Sequence, residues 1–165
     1  DFENCGVDCK VTPLKMIKNN ELRPKERLVS NIINFETIIH EDWSSSSFLK
    51  KNSYNLVIRY LDPMNASIRK VDYWILDAFI LDLQNSVYIE QFKDDWEKIL
   101  NTIKTGYAHE LSESDTVYLG ACTKGANNKS LRIQPKSSVL AKQRAFCFKQ
   151  QFMKRLLDDY PLQKS

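Results

Sequence analysis

An Asp-Cys-Lys triplet, Asp8 to Lys10, follows seven residues after an opening aspartate, Asp1. Side chains on a strand alternate between its two faces, so Asp8 and Lys10 point one way and Cys9 the other. Gly6 sits between short segments in residues 1–13, and residues 7–12 alternate in strand fashion. A tight hairpin there would bring Asp1 beside the triplet. Two neighbouring carboxylates form a hard-oxygen site suited to Mg²⁺, which takes a couple of carboxylates and keeps several waters. A lysine alongside can position or deprotonate an attacking water and offset negative charge building on a phosphate. On its own such a triplet is common and is usually just an exposed strand edge.

A second concentration of chemistry lies near the end. Net charge is only +3, yet residues 1–115 hold 14 Lys/Arg against 19 Asp/Glu. Residues 116–157 hold Lys124, Lys129, Arg132, Lys136, Lys142, Arg144, Lys149, Lys154 and Arg155 and no acid. Such asymmetry suits a polyanion partner, and it suits a solvated basic face as well.

The elements that must position these groups are partly readable. Residues 27–33, 54–61 and 71–83 are rich in branched apolar residues and suit strands. From residue 88 to 104, Ile89, Phe92, Trp96, Ile99, Leu100 and Ile103 fall on one helical face, which predicts a helix. Residues 116–121 read as a strand that runs into a Gly-, Asn- and Ser-rich basic loop over 123–138, too polar for core. Phe148, Phe152, Met153, Leu156 and Leu157 predict a last amphipathic helix with Lys149, Lys154 and Arg155 on its other face. The expected class is therefore α/β.

With 165 residues and 42% hydrophobic content the chain can bury one core and scarcely two. No run of about eighteen apolar residues and no basic-then-apolar leader occurs, so neither a membrane span nor secretion is indicated, and a cytoplasmic location is expected. Cys5, Cys9, Cys122 and Cys147 form no CxxC pair, with only His40 and His109 to assist them, so reduced, mostly buried thiols are expected over a zinc site.

The segments DFENCGVDCKVTPLK, ERLVSNIINFE, FLKKN, KDDWEKI, AHELSE, YLGACTKGANNKSLRIQPKS and AKQRAFCFKQQFM, in this order over residues 1–157, resemble those of the MutH-type endonucleases. They are most similar to the branch of that family made of GATC-cutting type II restriction enzymes. The resemblance implies a restriction-endonuclease-like fold, with a central mixed β-sheet flanked by helices, and Mg²⁺-dependent hydrolysis of double-stranded DNA at GATC. It implies Asp1, Asp8, Lys10 and Lys51 as catalytic residues, with Asp1 and Asp8 as metal ligands. Asp8 stands where the family usually has Glu, which withdraws the carboxylate by about one methylene.

Thr123 and Lys124 match the loop that enters the major groove, where a lysine can donate to guanine N7 and O6. Lys129, Arg132, Lys136 and Lys149 are the implied phosphate clamps, and the segment from Arg144 to Cys147 matches the one that senses adenine methylation. The resemblance also implies helices before Asp1 that carry a glutamate completing the metal site. It further implies a longer chain with a second MutH-like half that binds DNA without cutting. Residues 1–165 are expected to form a single nuclease domain. Two other functions stay open: a non-cutting DNA-binding domain of the same fold, and a repair nickase acting on hemimethylated sites.

Overall fold

β1 (Val7–Met16) and β4 (Tyr54–Asp62) run parallel, with Asp8 opposite Asn55 and Lys10 opposite Val57. A computed structural model of the chain describes residues 6–125 and 130–162. The long β1–β4 pairing is the frame on which the acidic triplet is mounted. β2 (Leu22–Pro24) adds antiparallel to the outer end of β1, and β5 (Trp74–Asp82) adds antiparallel to β4. The result is a mixed four-stranded sheet in the order β2-β1-β4-β5.

A second, antiparallel sheet has β9 (Arg144–Phe148) at its centre, with β3 (Leu28–Ile32) and β6 (Leu119–Thr123) on its flanks. The strands are thus divided between two main sheets. β7 (Leu131–Gln134) and β8 (Ser137–Lys142) form a separate two-stranded ribbon. This corrects the expectation of a basic loop over 123–138. Its large apolar residues Leu131, Ile133, Val139 and Leu140 are exposed, and what it buries is the small Ala141 and the polar Gln134.

Among the described residues three α-helices accompany the sheets. α2 (Ile89–Lys104) buries Phe92, Trp96, Ile99, Leu100 and Ile103, the face its periodicity predicts. Asp95 is buried on that face too, and its carboxylate accepts from the backbone N–H groups of Val117, Tyr118 and Leu119, tying α2 to the start of β6. α3 (Gln150–Asp159) begins two residues later than its apolar pattern suggests. Phe148 ends β9, but its ring packs 5.5 Å from that of Phe152 in the same core.

α1 (Ser47–Asn52) is short, so its position depends on tertiary contacts more than on helix propensity. Ser46 caps it by accepting from Leu49 N at 3.2 Å. Phe48, fully buried, stacks on Phe92 with 5.9 Å between ring centroids and meets Phe146 edge-on at 5.3 Å. These contacts fix where the last turn of α1, with Lys51 and Asn52, comes to lie. Among the described residues no helix is long and apolar enough to cross a membrane.

Candidate active site

The expected alternation along β1 holds: Asp8 and Lys10 are 6% and 5% exposed, and the Lys10 ammonium is bonded to Asp8 Oδ2. Strand geometry supplies the shared direction, and the parallel partner β4 closes off the flank with Asn55, itself fully buried. Lys51, reaching from the end of α1, places its ammonium 3.9 Å from Asp8 Oδ1. One carboxylate therefore faces two cations, one nearly sealed from solvent and one with 43% of its side chain exposed. Asp1, the other expected acid, lies outside the described residues, as does the first arm of the expected hairpin.

Polar, uncharged residues surround this group. Ser30, in β3, lies 3.4 Å from Lys10 Nζ, and its hydroxyl meets Asn52 Oδ1 at 2.5 Å. The Asn52 amide in turn donates to Phe48 O at 2.8 Å and to Asn31 Oδ1 at 3.2 Å. Charge and spacing gave no sign of Ser30, Asn31 or Asn52. The only signal lay in the blocks ERLVSNIINFE and FLKKN, which contain all three.

The basic residues separate into two groups. Thr123, Lys124 and Arg132 are exposed. The Lys124 backbone N–H bonds Gln143 O at 2.8 Å, which holds this residue at the point where β6 leaves its sheet. Lys136 occupies the turn between β7 and β8 with a left-handed φ of 56°. The ribbon is anchored beneath by buried Gln134, which accepts from Ala108 N at 2.7 Å and bonds His109 Nδ1 at 2.9 Å. Lys129 lies outside the described residues.

The other group is turned inward. The Lys149 ammonium donates to Glu113 O at 2.5 Å and to Thr116 O, and so closes the loop before β6. The Arg144 guanidinium donates to Ala121 O and Thr123 Oγ1, both at 3.2 Å, and burial lowers its pKa. Cys147, expected in the methylation-sensing place, is fully buried. A hydrogen bond between Cys122 and Cys147 holds the Cys122 thiol below the usual range and pushes the Cys147 thiol up. Glu113 also faces Cys147.

The donor set constrains what the site can hold. Among the described residues no three His, Cys, Asp or Glu side chains converge, so no described site has the ligand count of a transition metal. Mg²⁺ is less demanding, because one or two carboxylates suffice while water fills the remaining positions. Asp8 meets that requirement as a single hard-oxygen ligand.

Residues 1–98 match a family model described as DNA mismatch repair enzyme MutH. The type II restriction enzyme Sau3AI of Staphylococcus aureus is 43% identical over 164 residues, which is 98% of this chain and 33% of that protein. The chain therefore spans about a third of the length of the curated relative it matches.

Proposed function

The chain belongs to the MutH family, and from that premise we propose that it is the nuclease part of a type II restriction endonuclease, hydrolysing DNA phosphodiester bonds at GATC with Mg²⁺. The observation that carries this reading is the convergence of Asp8, Lys10 and Lys51 from β1 and α1 on one small region. An exposed strand edge would leave an Asp-x-Lys triplet solvated, whereas here both residues are almost completely buried and still charged partners of each other. Burying ions costs free energy, and proteins concentrate such cost at functional sites.

In this reading Asp8, together with Asp1, holds the divalent cation, which supplies Lewis-acid stabilisation of the phosphate and a water of lowered pKa. Lys10 orients the attacking water and stabilises charge growing on the phosphate oxygens. Lys51, half exposed at the rim, meets the scissile phosphate from the solvent side. Lys124 donates to a guanine edge in the major groove. Arg132 and Lys136 on the ribbon, with Lys129, contact phosphates and set register on the duplex. Arg144, Cys147 and Lys149 support the sheet and the loop behind them, and have no part in reading DNA.

The test is digestion of otherwise identical duplexes with and without one GATC, incubated with the intact gene product and Mg²⁺. Cutting confined to the GATC duplex supports the proposal, and cutting of neither duplex rejects it. Parallel digestion of unmethylated, hemimethylated and fully methylated GATC separates a restriction enzyme from a repair nickase.

A further inference from the structure

The nuclease reading gives Lys10 a directional task, since an ammonium can orient a water only if its own N–H groups are aimed. Strand β1 alone does not aim them, because a flexible four-carbon stem, five single bonds in all, separates the nitrogen from the backbone. The charged groups facing it, Asp8 and Lys51, settle one N–H direction through the ion pair with Asp8. A second is settled from another sheet: Ser30 Oγ on β3 stands 3.4 Å from Lys10 Nζ.

A serine hydroxyl accepts in a fixed direction only when its single hydrogen is committed elsewhere. Two acceptors face it, Asn31 Oδ1 at 3.2 Å and Asn52 Oδ1 at 2.5 Å, and the shorter contact gives the hydrogen to Asn52. Which end of the Asn52 amide faces Ser30 is decided by its other partners. Its Nδ2 has two acceptors, Phe48 O at 2.8 Å and Asn31 Oδ1 at 3.2 Å, so the oxygen must be the end turned to the hydroxyl. Asn52 is fully buried, and α1 is pinned by Phe48, so this acceptor does not wander. The chain of bonds runs from the core through α1 and β3 to the lysine.

We propose that Ser30 and Asn52 are positioning residues: Asn52 orients the Ser30 hydroxyl, Ser30 fixes the rotation of the Lys10 ammonium, and the third N–H is left aimed at the phosphate and its attacking water. The inference rests on the nuclease reading for its purpose but not for its geometry. A purely structural role for Asn52 would need only its bond to Phe48 O, which closes the last turn of α1, and would leave Ser30 dispensable.

The experiment compares Ser30→Ala and Ser30→Thr in the intact gene product. Misaiming a catalytic group costs up to about a hundredfold, so Ser30→Ala should lower kcat about tenfold to a hundredfold with KM nearly unchanged. Ser30→Thr, which keeps the hydroxyl, should restore most of the loss. An independent readout is the Lys10 ammonium signal in a proton–nitrogen correlation spectrum at one fixed pH, assigned by its loss in Lys10→Gln. That signal should be sharp in the wild type and Ser30→Thr and broadened by solvent exchange in Ser30→Ala. An unchanged ammonium signal in Ser30→Ala would overturn the inference. So would equal loss of kcat in both variants in step with their melting temperatures. A wild type that cuts no DNA, with the ammonium signal still sharp in it and broadened in Ser30→Ala, would leave the positioning role standing and remove the nuclease reading.

Discussion

Lys10 and Asp8 sit two residues apart on β1 and bond to each other inside the protein, their side chains 6% and 7% exposed. Removing one partner of a buried pair strands the other charge, at a cost of about 3–5 kcal/mol. Asp8→Ala should accordingly destabilise the protein by about 3 kcal/mol or more, because it leaves Lys10 without its counter-charge. Lys51→Ala should cost less than Asp8→Ala, since that lysine is about half exposed and stands 3.9 Å from Asp8. Urea denaturation of the two variants checks the ordering, and equal stability losses would contradict the burial argument.

Base reading and phosphate contact separate experimentally. Lys124→Ala should reduce discrimination between GATC and a one-base mismatch by about 1–3 kcal/mol. Lys136→Ala should weaken binding to both duplexes alike and reduce the slope of log affinity against log salt by about one. Fluorescence anisotropy over a salt series measures both quantities.

Lys25 and Asp62 join the ends of β2 and β4 across 2.6 Å, and Met64 N–H donates to the same carboxylate at 2.7 Å. The hydrogen bond from Lys25, then that from Met64, holds the Asp62 carboxyl below its ordinary range. A carboxyl depressed in the folded state stabilises it at pH values above the unfolded pKa, and that contribution disappears as pH falls through the folded pKa. Asp62→Asn should therefore be less stable than wild type at neutral pH, with the gap closing below about pH 4, the range of an unperturbed aspartate. Denaturant midpoints at a series of pH values test the sign.

Gly106 ends the turn after α2 with φ of 90°, and a Cβ there would stand 3.0 Å from Lys136 O and 3.2 Å from Pro135 O. Both obstacles are backbone, so they cannot rotate away. Gly106→Ala should cost about 1–3 kcal/mol through strain at positive φ and the forced shift of the ribbon turn. A fall in melting temperature of about 2 °C or more would be the sign in a chain of this size.

Much of the frame was legible because hydrophobic period decides it. The alternation that put Asp8 and Lys10 on one face is the observed one, and the strands over 27–33 and 54–61 and the helix over 88–104 stand within a residue or two of their apolar patterns. The β7–β8 ribbon was not legible, since its large apolar residues face outward and its turn depends on a left-handed lysine in place of glycine or asparagine. The apolar spacing carries the last helix back to Phe148, whose ring does share a core with Phe152, but the backbone changes from strand to helix between them.

Side-chain direction was the least legible level. Lys149 and Arg144 carry charges that composition counts toward a DNA face, yet tertiary packing turns both toward backbone carbonyls. Ser30 and Asn52, which reach the centre of the site, carry no charge and belong to no spacing pattern. Their contribution arises only when β3 and α1 are brought against β1.

Nicking of supercoiled plasmid by the intact gene product with Mg²⁺, wild type beside Lys10→Ala, tests the site most directly. A lysine that positions water and stabilises the developing charge contributes two or more orders of magnitude, so Lys10→Ala should lose at least about a hundredfold in rate while still binding DNA. Cleavage by Lys10→Ala at the wild-type rate would contradict the assignment of the catalytic site to Asp8, Lys10 and Lys51.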